Sequence, residues 1–200
     1  SVDLSALASR AADPTWSGRV SPTFRPDRYL EPAQPGWRDA VAQIGKAADT
    51  DTGEYAGYLR ALEARRQYFI AHGAVSADHS HVDVRTEPLE PAEAARIYRS
   101  ALDAAVTAEE AAAFRRHVQL EMARMSCEDG RVMTLHPGVR RGHHGPTTAA
   151  FGPDTGNDIP IGIEFTDALR PLLERYGTHP GFHLVVFTLD ETVFSRELAP

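Results

Sequence analysis

Four short runs of apolar residues punctuate this chain, and between them the hydrophobic positions recur with helical spacing. The runs are residues 19–24 (RVSPTF), 74–78 (AVSAD), 131–135 (RVMTL) and 183–188 (HLVVFT), and their length and flanks predict buried strands. Amphipathic patterns over 37–48 and 54–73 predict helices, the second stopped at His72-Gly73. Pro91 suits the first turn of a helix running through 91–105. Thr107 with Glu110 forms a capping box ahead of the helical stretch 108–126. A further helix is expected from Gly162 to Tyr176, closed by Gly177, and another begins over Glu191 to Leu198. The Gly- and Pro-rich segment from Pro137 to Pro160 reads as a long loop, of the kind that is usually functional when it sits inside a domain.

Strands alternating with helices predict a parallel sheet. The strand ends fall near residues 24, 78, 135 and 187, a little over 50 residues apart. Eight such units would need roughly 400 residues, the upper range of a (β/α)₈ barrel. The expectation is therefore an α/β chain forming one incomplete (β/α)₈ barrel segment over residues 1–200, with about four βα units and parallel strands. Half a barrel exposes unpaired strand edges, which soluble proteins avoid. The expected partner is a complementing barrel segment or another copy of the chain.

Composition narrows the function classes. A net charge of −7 argues against nucleic acid or an anionic membrane as main partner, while leaving room for a local basic pocket that takes a small anion. The single cysteine excludes an internal disulfide framework and fits a reducing cytoplasm. No run approaches the roughly 20 apolar residues needed to cross a bilayer, and the first ten residues lack the apolar core of a signal peptide. Lys46, the only lysine, falls in a surface helix, which argues against Schiff-base chemistry.

Polar groups follow each strand: Phe24-Arg25-Pro26-Asp27, Asp78-His79-Ser80-His81, His136-Pro137-Gly138 and Thr188-Leu189-Asp190-Glu191. In parallel barrels that end carries the active site. Arg25, stiffened by Pro26, can present parallel donors to a carboxylate, or it can pair structurally with Asp27 or a helix carboxylate. Asp78 and His79 are both capable of acid–base work, but neighbours on a strand point to opposite faces. Asp78 is expected to point inward, with His79 the alternative. His79 and His81 share an H-x-H spacing that suits a metal pair in a metal-dependent hydrolase, although a second strand would have to add a carboxylate. His136 is expected to line the site. His143 and His144 lie in a basic loop that either closes over an anionic substrate or is ordinary solvated sequence. Cys127 has no neighbouring base and does not read as a nucleophile, and no G-x-S-x-G, phosphate loop or dinucleotide fingerprint is present.

Five stretches together resemble the glucuronate (uronate) isomerases, a divergent branch of the amidohydrolase superfamily. They are VSPTFRPD (20–27), DTGEYAGYLRALEARRQYFIAHGAVSADHSH (51–81), RHVQLEMARMSCEDGRVMTLHPGVRRGHH (116–144), GNDIPIGIEFTDALRPLLERYG (156–177) and FTLDETVFSRELAP (187–200). The resemblance implies reversible interconversion of D-glucuronate with D-fructuronate and of D-galacturonate with D-tagaturonate, an aldose–ketose isomerisation. It implies Arg25 as clamp for the substrate carboxylate, His136 and Arg140 as further substrate-binding groups, and Asp78 with His79 in proton transfer or hydroxyl binding. In the family a divalent metal, commonly zinc, is held by an H-x-H pair on the first barrel strand and an aspartate on the last. Neither has a counterpart here, so this chain alone is expected to bind metal poorly and to hold no cofactor of its own.

Overall fold

The capping signals act where they stand in the sequence. In the computed structural model, which describes residues 3–7, 15 and 17–198, Thr107 Oγ1 accepts from Glu110 N–H while Glu110 returns a carboxylate to Thr107 N–H. The N-terminal stretch read for a leader and the last two residues of the final matching stretch lie partly or wholly outside the described residues.

The helices are α1 (Asp27–Leu30), α2 (Trp37–Ala47), α3 (Tyr55–Ala71), α4 (Pro91–Leu102), α5 (Ala108–Asp129), α6 (Gly145–Phe151), α7 (Arg170–Tyr176) and α8 (Glu191–Val193), the last running on as a π-turn over Phe194–Leu198. The strands are β1 (Ser76–His79), β2 (Val132–Leu135), β3 (Val139–Arg140), β4 (Ile159–Pro160) and β5 (Leu184–Val186). β1, β2 and β5 form one parallel sheet in that order, with Asp78 opposite Thr134 and Thr134 opposite Val185. The strands lie side by side in chain order with helical crossovers, the arrangement of successive units in a (β/α) barrel.

The period of two along each strand separates two faces. Phe24, Ala77, His79, Met133 and Leu135 are buried within the helical layer. Ser76, Asp78, Thr134 and His136 alternate onto the other, open face. The core under the sheet is largely aromatic. Phe24 meets Phe69 edge-on at 5.3 Å, and Trp37 packs against Tyr98 at 5.8 Å. Trp37 Nε1–H and Tyr58 O–H both donate to Tyr29 O, which satisfies the polar ends of those buried rings. α5 is buried on most of its circumference. Its end is tied to α3 by Arg66, which is almost fully buried against Asp129 and Ser126.

Three expected elements differ. Residues 19–24 do not form a strand: only Phe24 bridges β1, donating to Ser76 O and accepting from Asp78 N–H, in the parallel sense expected. Pro22 lacks a donor, and the segment lies at the outer edge of β1 with no further strand beside it among the described residues. The stretch from 137 to 160 is not a plain loop. β3 and β4 pair antiparallel, and α6 lies between them, opened by His144, whose Nδ1 accepts from Thr147 N–H. The helix expected from Gly162 begins only at Arg170. Before it, carboxylates claim the backbone donors: Glu197 accepts from Phe165 and Thr166, and Glu164 accepts from Asp167 and Ala168.

Candidate active site

At the carboxyl ends of β1 and β2 an open cavity of ≈ 470 Å³ is walled by Arg25, Asp78, His136, Arg141, Asp158 and Phe187. Arg25 arrives from the segment bridged to β1, Asp78 from β1, His136 from just beyond β2, and Phe187 from just beyond β5. The strands continue their pairing one residue past their formal ends. His136 N–H donates to His79 O at 2.7 Å, and Phe187 N–H donates to Leu135 O at 2.9 Å. The side chains at the cavity therefore stand on rigid sheet backbone.

Asp78 is the hub. Its Oδ1 lies 2.5 Å from both Thr134 Oγ1 and His136 Nδ1, and its Oδ2 lies 3.3 Å from Arg25 Nε. Burial pushes this carboxyl up. The hydrogen bonds from Thr134 and His136, the positive charge that His136 has when protonated and the charge of Arg25 together outweigh it and hold the group below the usual carboxylate value. The other edge of Arg25 reaches Asp27 Oδ2 through Nη2 at 3.4 Å. The arginine side chain nonetheless remains 54% exposed. Both sequence readings of Arg25 meet here, because it pairs with acidic neighbours and still fronts the cavity.

His79 stands apart. Its parity turns it into the helical layer, where it is 1% exposed and its Nδ1 meets Thr134 O at 3.1 Å. Burial pushes its pKa down to about 4, so it sits there neutral. Arg140 also falls outside the cavity. In the β3 hairpin Val139 and Arg141 face inward while Arg140 is exposed on the other side. Arg141, which the sequence reading passed over, carries the inward charge and pairs with Asp158 at 2.7 Å. Thr134 was likewise missed. Its signal was available, since it lies two residues before His136 and so shares its face.

His81 is 5% exposed and sits between carboxylates, with Nε2 at 3.5 Å from Asp27 Oδ1 and Nδ1 at 4.0 Å from Glu31 Oε2. Burial, with Arg115 nearby, pushes its pKa down to about 3. Burial conversely raises Asp27 and Glu31, against the opposing pull of Ser80 N–H and Arg25 on the first and Arg115 on the second. His79 and His81 do not converge. Among the described residues no three His, Cys, Asp or Glu side chains are placed to hold a metal ion. The hydrolase alternative built on that pair therefore has no ligand set, and the residues present do not fit the metal that the family resemblance implies. His144 is spent on its helix cap, and His143 is exposed. No helix of the described residues is long and apolar enough to cross a membrane.

A family model described as glucuronate isomerase matches residues 3–195. The chain is 46% identical to the uronate isomerase of Cutibacterium acnes over 198 residues, and 47% identical to that of Corynebacterium efficiens over the same length. Each match covers 99% of this chain and 42% of the relative. The crystal structure of glucuronate isomerase from Caulobacter crescentus superposes with a TM-score of 0.93 at 39% identity, over 100% of this chain and 41% of that one. The chain thus spans about two fifths of the length of the relatives it matches. With Arg25, Asp78 and His136 brought to one cavity at the strand ends, and a match along nearly its whole length, this chain belongs to the glucuronate isomerase family.

Proposed function

We propose that this chain forms the uronate-binding wall of an aldose–ketose isomerase that interconverts D-glucuronate with D-fructuronate and D-galacturonate with D-tagaturonate. The observation that carries the reading is the alignment of Arg25, Asp78 and His136 along one edge of the cavity, on three adjacent parallel positions of the sheet. A uronate presents a carboxylate at one end and a carbonyl beside a hydroxyl at the other. Arg25 offers a guanidinium edge for the carboxylate, and Arg141 supplies a second positive charge in the same space. Asp78 and His136 are the groups on that wall able to bind sugar hydroxyls and handle protons. The divalent metal implied by the family resemblance has no ligand set among the described residues, and the groups named here are the chain's own.

Isothermal titration of the chain with D-glucuronate and with D-glucose tests this. The uronate should bind more tightly than the neutral sugar, and indistinguishable affinities for the two would remove the assignment.

The open face of the sheet supports a second element of the reading, that further barrel strands from another segment or another copy cover it. Val185, Phe187 and Leu189 are exposed along β5 and its extension, and β5 is an outer strand of the sheet among the described residues. Analytical ultracentrifugation should find the chain associated with itself or with a complementing segment. A folded, stable monomer at micromolar concentration would contradict this element while leaving the uronate site untouched.

A further inference from the structure

The His136 imidazole is held at more points than a hydroxyl-binding wall needs. Its Nδ1 lies 2.5 Å from Asp78 Oδ1, and one ring face stacks on Phe187 at 4.0 Å with only 10° between the planes. Its backbone is clamped as well, with N–H donating to His79 O and the carbonyl accepting from Ser80 Oγ at 3.2 Å. Asp78 is fixed in turn by Thr134 on Oδ1 and Arg25 on Oδ2. A carboxylate can only accept, so a neutral imidazole bonded to Asp78 carries its proton on Nδ1 and its lone pair on Nε2. Nδ1 is tied and one face is covered, so this 42% exposed cavity-lining side chain has its Nε2 edge and second face outside those contacts.

We propose, resting on the uronate reading above, that His136 takes and returns a substrate proton through Nε2, and that Asp78 is its positioning residue. An aldose–ketose isomerisation moves a carbon-bound hydrogen from C2 to C1 and a hydroxyl proton from O2 to O1. His136 serves the second transfer. The Nε2 lone pair forms a bond to the hydroxyl proton while the O–H electron pair stays on the sugar oxygen. The imidazolium then gives the same proton to the neighbouring oxygen as negative charge builds there. The sugar gains and loses no electrons in this transfer and no co-reactant is consumed. Asp78 faces the imidazolium across the Nδ1 hydrogen bond and stabilises its charge. Thr134, filling the same carboxylate oxygen from within the sheet, keeps Asp78 from rotating away.

Long-range ¹H–¹⁵N correlation spectra of the ¹⁵N-labelled chain at neutral pH read the tautomer directly. The expected result is a proton on Nδ1 of His136. In Asp78→Asn, Arg25 Nε–H claims the amide oxygen and leaves the NH₂ facing Nδ1, so the proton should move to Nε2. A wild-type proton on Nε2, or one averaged between the two nitrogens, overturns the proposal without need of a variant. In the active enzyme Asp78→Asn should lower kcat for D-glucuronate by about 10²–10⁴-fold, a larger factor than any rise in KM. A loss confined to KM would overturn it too. Titration with D-glucuronate separates the two levels. If the uronate fails to bind, the uronate reading falls and this proposal with it, whereas the wrong tautomer with uronate bound defeats the dyad alone.

Discussion

Arg25→Ala should weaken binding of D-glucuronate about 10- to 150-fold while changing the affinity for a neutral aldose by less than about threefold, because hydrogen bonds to charged groups contribute about 1.5–3 kcal/mol. The asymmetry follows from what the guanidinium touches. Its Nε and Nη2 already meet Asp78 and Asp27 at 3.3 and 3.4 Å, yet the side chain stays half exposed, with its outer edge toward the cavity. A uronate carboxylate placed there completes a fork of donors, and a neutral sugar has nothing to place there. Arg25→Lys should fall between, since it keeps the charge and loses the planar fork. The measurement is the ratio of dissociation constants, or of KM values in the active enzyme, for D-glucuronate and a neutral aldose. Equal losses on both substrates would mean that Arg25 acts through Asp78 and Asp27 as a structural ion pair, and the clamp assignment would be withdrawn.

Much of this arrangement was legible in the chain, for reasons that differ by element. α2, α3, α4 and α5 lie within a few residues of their expected bounds, because caps and apolar periodicity are local signals. Three of the four expected strands end within a residue or two of their expected positions and the fourth survives only as the Phe24 bridge, which still brings Arg25 beside Asp78 and His136. What stayed hidden was set by neighbours distant in sequence. Asp78 faces the cavity as expected, but His79, read beside it for proton transfer, turns away because its strand face, with Ala77, Met133 and Leu135, meets the helices. Arg140 and Arg141 exchange roles according to the register of a hairpin whose other strand is twenty residues away. The start of α7 was misjudged because Glu197, from the far end of the chain, bonds the backbone that would have formed its first turns. His144, in a loop read either as closing over an anion or as solvated sequence, is a helix cap, which a Pro two residues later could have suggested.

Acidification from about pH 7 to pH 5 should cost this fold several kcal/mol, with a slope approaching 1.4 kcal/mol per pH unit for each buried neutral histidine. His79 and His81 are the sources. Burial depresses them from 6.5 to about 4 and about 3, respectively. The unfolded chain binds protons at these sites as the pH falls below 6.5, and the folded chain does not. The stabilisation is therefore complete above the unfolded value and is lost as the pH drops toward the folded ones. His117, lowered chiefly by burial, acts in the same sense. Asp27 and Glu31 act in the opposite sense: burial raises them above 3.8 and 4.5, so the folded state takes up their protons first, and acid relieves their cost from the raised values downward, offsetting part of the histidine loss. Asp78, held below 3.8, keeps its contribution until lower pH still. Around His79 the fixed charges are Arg66 and Arg25, which oppose its protonation, and Asp78, which favours it. Around His81 they are Arg115, Asp27 and Glu31. Against a typical total stability of about 5–15 kcal/mol, two such groups decide whether the fold survives mild acid. Urea unfolding at several pH values measures the slope. His79→Asn, whose amide can replace the Nδ1 donor to Thr134 O, should remove one histidine's share and leave that of His81. A wild-type stability that is flat across the window, or a slope that His79→Asn leaves unchanged, would show that these imidazoles are not held neutral by burial.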